Sequence, residues 1–106
     1  MTIIEMLEKS AKLYPEKTAI VCKGFRISYR ELRERSRALA GFLVEMGLKK
    51  GDRVGLLLEK TPEVIISFLG VASVGGVVFP IDYNQTIDHL QYVLDLTRPA
   101  VLIIGE

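Results

Sequence analysis

An α/β fold built on parallel strands is predicted by three features of this sequence. Arg53 to Leu58 is a nearly continuous apolar run without alternation, as expected of a strand covered on both faces. Thr61-Pro62-Glu63 then starts a helix, with Thr61 placed to accept a backbone N–H bond and Pro62 at the first helical position. From residue 53 onward the apolar segments recur in the order β-α-β-α-β, which short right-handed connections turn into three parallel strands. The expected whole is an N-terminal helix and a β-hairpin followed by that β-α-β-α-β unit.

The elements follow in order. Residues 2 to 14 form a first helix, with Thr2 as cap and Glu5 three residues on. Ile3, Met6, Leu7, Ala11 and Tyr14 lie at helical spacing, and Pro15 follows. Thr18 to Cys22 and Phe25 to Ile27 are strands joined at Lys23-Gly24, a hairpin of unassigned turn type. Ser28 to Glu31 repeats the capping pattern and opens a helix to about Met46. Its expected apolar stripe is Leu32, Leu39, Phe42, Leu43 and Met46. Gly47 suits the left-handed position after that helix, with Leu48 as the apolar contact beyond it.

The central helix runs to about Val74 and stops at Gly75-Gly76, and the chain re-enters the sheet at Val77 to Phe79. Thr86 caps a further helix to about Leu96 with an apolar face of Ile87, Leu90, Val93 and Leu94. Arg98-Pro99 ends it, because the residue before proline leaves the helical region. Val101 to Ile104 is the last strand.

Composition narrows the possible functions. The 106 residues carry 14 basic and 13 acidic side chains, a net charge of +1. Such a balance provides no field for nucleic acid or anionic lipid. The apolar stretch from Val64 to Phe79 is interrupted by Ser67, Ser73 and three glycines and is short for a bilayer span. Glu5 and Glu8 break the N-terminal apolar run, so no secretory signal is expected. One cysteine, Cys22, excludes an internal disulfide and fits a reducing, cytoplasmic setting.

No reactive constellation emerges from the residues. His89 is the only histidine and has no partner nearby in sequence for metal ligation or proton transfer. Cys22, in a short apolar strand, reads as a buried, unreactive thiol. Gly75-Gly76 follows a helix, whereas a phosphate cradle precedes one, so it reads as a helix stop with close backbone packing. Lys60, in the strand-to-helix connection, reads as a solvated charge. Asp82 follows a buried strand at the edge where open α/β sheets bind ligands, yet an Asp opening a polar loop usually bonds local backbone N–H groups. Gly55, inside a strand, reads as a point of close approach. No catalytic, cofactor-binding or metal-binding residue is therefore assigned.

The central helix is apolar around nearly its whole circumference and must be covered around it. A chain of this size can cover one face of a parallel sheet but hardly both. Self-association, or membership of something larger, is expected.

The order of these segments resembles the N-terminal end of the AMP-forming acyl-adenylate ligases, the superfamily of acyl-CoA synthetases, peptide-synthetase adenylation domains and luciferases. The resemblance rests on Pro15 to Ile20, Ile27 to Leu32, Gly47 to Val54, Thr61-Pro62-Glu63, Ala72 to Gly76, Val78 to Asp82, Leu90 to Leu94 and Pro99 to Ile104. Many members have Pro where this chain has Tyr83, and a basic residue where it has Ser73.

The resemblance implies that residues 1–106 are the N-terminal portion of an AMP-binding domain, ending before its phosphate-binding loop. The parent would use ATP and Mg to convert a carboxylic acid into an acyl-adenylate, then usually pass the acyl group to the thiol of CoA or carrier pantetheine. The family's phosphate loop, ribose-binding Asp and catalytic Lys fall beyond residue 106. No catalysis and no cofactor are expected of these residues alone, and the implied partner is the remainder of the parent chain. Two other functions are open: a small interaction or regulatory module docking through helix 62–74, and a nucleotide binder using the strand ends near Asp82.

Overall fold

The computed structural model describes residues 2–59 and 61–105. Helix α1 spans Ile3–Leu13, and strands β1 (Thr18–Cys22) and β2 (Phe25–Ser28) form an antiparallel hairpin. Helix α2 (Tyr29–Glu45) leads to β3 (Arg53–Leu57), α3 (Pro62–Val74), β4 (Val77–Pro80), α4 (Ile87–Thr97) and β5 (Val101–Ile104). Strands β3, β4 and β5 are parallel in the order β4-β3-β5. The mixed α/β architecture expected from the sequence is present, with its strands parallel as expected.

Most boundaries have a visible chemical cause. Thr2, Ser28 and Thr86 accept N–H bonds from Glu5, Glu31 and His89 at 3.1, 3.1 and 3.2 Å, each satisfying a helix-start donor. Gly47 takes φ 93°, and the Leu48 N–H reaches Leu43 O at 3.0 Å. The Leu43 and Leu48 side chains then share one core cluster, the apolar contact that accompanies such a cap. Lys23 and Gly24 both have positive φ, 45° and 86°, as a type I′ hairpin turn requires.

Thr61 departs from expectation. It occupies the cap position of α3, but its side chain accepts no capping bond; its hydroxyl donates to Glu59 O at 3.3 Å. That local bond competes with the cap for the same short side chain.

Two cores meet along α3. Leu7, Ile27 and Leu32 pack with Ile66 and Leu69 of the helix. Leu43, Leu48, Val54 and Leu56 pack with Val71. Where α2 crosses α3 the residues are small: Ser36 and Ser67 are buried, and a Cβ on Gly70 would stand 2.9 Å from Leu39 Cδ2. Small side chains let two helix backbones approach closely.

This crossing sorts residues by size as much as by polarity. Ser67 is buried, while Phe68 is 41% exposed and Ile65 44%. On α2, Phe42 and Met46 belong to the expected stripe but face outward, leaving Leu32, Ser36 and Leu43 as the buried side.

The sheet is covered unevenly. Val54 and Leu56 turn toward α2 and α3 and are almost fully buried. On the other face the space above Gly55 is filled by Ile81, Leu102 and Phe79. Helix α4 buries none of its residues, and Ile87 and Leu96 are 84% and 68% exposed.

The accessible surface is 7315 Å², against about 5,900 Å² for a free-standing monomer of 11.9 kDa. The radius of gyration, 14.6 Å, exceeds the roughly 13 Å of a compact domain of this length.

Candidate functional site

Two regions have the geometry of a site. The first is the C-terminal edge of the parallel sheet. With β3 between β4 and β5, right-handed crossovers place α3 and α4 on opposite faces, and open α/β sheets bind ligands beyond strand ends arranged in this way. Leu58, Glu59 and Thr61 follow β3, and Asp82 to Gln85 follow β4. Lys60 lies outside the described residues.

Asp82 is exposed, and its Oδ1 accepts the Asn84 N–H at 3.0 Å. The carboxylate thus stabilises its own loop, the local role that Asx residues often take. Gln85 Nε2 is shielded from solvent with no partner among the described residues. His89 is exposed on α4, and its ring lies 6.3 Å from that of Tyr92.

The second region is a cavity of about 570 Å³ between the hairpin, α2 and the start of α3. Cys22, Arg26, Glu31, Arg35 and Glu63 contribute to its walls. The neighbouring Thr61 side chain and the Glu63 backbone N–H, with the nearby charge of Arg35, hold the Glu63 carboxyl below the usual range. Arg35 Nη2 stands 3.9 Å from Glu31, too far for a good hydrogen bond. Cys22 is half-buried, less enclosed than the sequence suggests, because a two-stranded hairpin shields only one side of its strands.

The glycines have structural causes. Gly75 adopts φ 83° at the end of α3. A Cβ on Gly76 would stand 2.7 Å from Val71 Cγ1, and the Gly76 N–H bonds Val71 O at 3.1 Å. Both serve the helix stop. Gly55 lets three side chains close over β3, since a Cβ there would meet each at 3.1–3.2 Å.

Magnesium is implied beside ATP by the family resemblance. Among the described residues no three His, Cys, Asp or Glu side chains converge, and Asp82 is already engaged by Asn84. No step through a metal ion is assigned to these residues. No helix among the described residues is long and apolar enough to cross a membrane.

The parallel β4-β3-β5 layer, with its flanking helices and the antiparallel hairpin, is a mixed α/β architecture. The chain belongs to the AMP-binding enzyme family, whose pattern matches residues 7–106. It is 34% identical over 106 residues to a dimodular nonribosomal peptide synthase of Bacillus subtilis (strain 168), covering 100% of this chain and 4% of that protein. It is 37% identical over 97 residues to gramicidin S synthase 2 of Brevibacillus brevis, covering 92% and 2%.

Among solved structures, the N-terminal subdomain of Klebsiella oxytoca NpsA, in complex with 3-hydroxyanthranilyl-AMSN, superimposes with a TM-score of 0.87. It is 29% identical, with coverage of 98% of this chain and 27% of that one. A long-chain-fatty-acid CoA ligase structure from Rhodopseudomonas palustris CGA009 gives a TM-score of 0.91 at 30% identity, covering 99% and 27%. The chain therefore spans a few per cent of the peptide synthetases it matches and about a quarter of the two superimposed chains.

Proposed function

We propose that this chain is a scaffold portion, N-terminal in its domain, of an ATP-dependent acyl-activating ligase. In that role it supports the conversion of a carboxylic acid and ATP into an acyl-adenylate and pyrophosphate. The acyl group then passes to a thiol of CoA or of carrier pantetheine. The family match across residues 7–106 carries this proposal. Residues 1–106 precede the phosphate-binding loop of the domain, the remainder of the parent chain is their partner, and the setting is cytoplasmic.

The chain on its own is expected to be inactive. Adenylate formation needs donors opposed around a developing phosphoryl charge, and neither the sheet edge nor the cavity assembles such a set among the described residues. The purified 106-residue chain, incubated with ATP, Mg²⁺, labelled pyrophosphate and a panel of amino, aryl and fatty acids, should give no exchange above the no-acid control. Carboxylate-dependent exchange would overturn the scaffold role. Sequencing downstream of Glu106 in the coding DNA adds an independent check, since the proposal expects an open frame continuing into a Gly-rich loop ending in Lys.

A further inference from the structure

We draw no further inference here: the strongest candidate, the exposed apolar stripe of Ile65, Phe68 and Ala72 along helix α3, carries nothing, because the chain spans about a quarter of the solved structures it superimposes on and nothing in the structure shows what covers that face.

Discussion

Gly70 governs how closely the two central helices pack. A Cβ there would lie 2.9 Å from Leu39 Cδ2 and 3.1 Å from Leu39 Cβ, so the collision reaches the root of that side chain and cannot be relieved by a rotamer change alone. Gly70→Ala should therefore lower stability by about 1–2 kcal/mol in urea denaturation, despite the gain of roughly 1 kcal/mol in helix propensity. The role of Gly70 was not legible in the sequence, where it is one small residue within an apolar run. Ser67 was hidden for the same reason: in the sequence it only interrupts an apolar stretch, but it is buried and its size lets α2 approach. Asp82 was legible, because its loop position and short carboxylate anticipated the Asn84 N–H bond. Gly75 and Gly76 were legible from their order after a helix.

Helix α1 shows how a charged contact can hold two elements whose shared apolar surface is small. It buries only Leu7 and Ala11, but its Glu8 receives Arg33 Nε at 2.6 Å and Arg37 Nη2 at 3.2 Å from α2. The Arg33 hydrogen bond, with the charges of Arg37 and Arg33, outweighs partial desolvation and holds the Glu8 carboxyl below its ordinary value. A group whose pKa is depressed by folding adds stability above its unfolded pKa and loses it as pH falls through the folded one. Glu8→Gln should thus lower stability at pH 7 by at most about 1 kcal/mol, since the site is partly exposed. The difference from wild type should close below about pH 4, as followed by thermal melts across pH. Element positions were legible because Thr2, Ser28, Gly47 and Thr86 mark helix ends by local chemistry. Phe42 and Met46 were misjudged because helical spacing groups residues on a face without saying how much of that face a neighbour covers.

Across the molecule, stability should be graded from α3 outward. Helix α3 contributes to both cores, whereas α4 buries no residue. In native-state hydrogen exchange the α4 amides should therefore exchange much faster than those at the centre of α3; equal protection would mean that α4 is covered by another surface. The imbalance was partly legible, since the sequence holds more apolar helix surface than a chain of this size can enclose, but which helix stays uncovered depends on the crossing of α2. The strand order has one more consequence. On β4 the Val77 and Ile81 N–H groups point inward to Asp52 O and Leu56 O, so position 80 faces the outer rim, where proline has no N–H to offer. Strand β5 reads Val-Leu-Ile-Ile, without proline or charge. The β4 rim thus lacks one donor at its C-terminal end, whereas the outer edge of β5 carries neither proline nor charge.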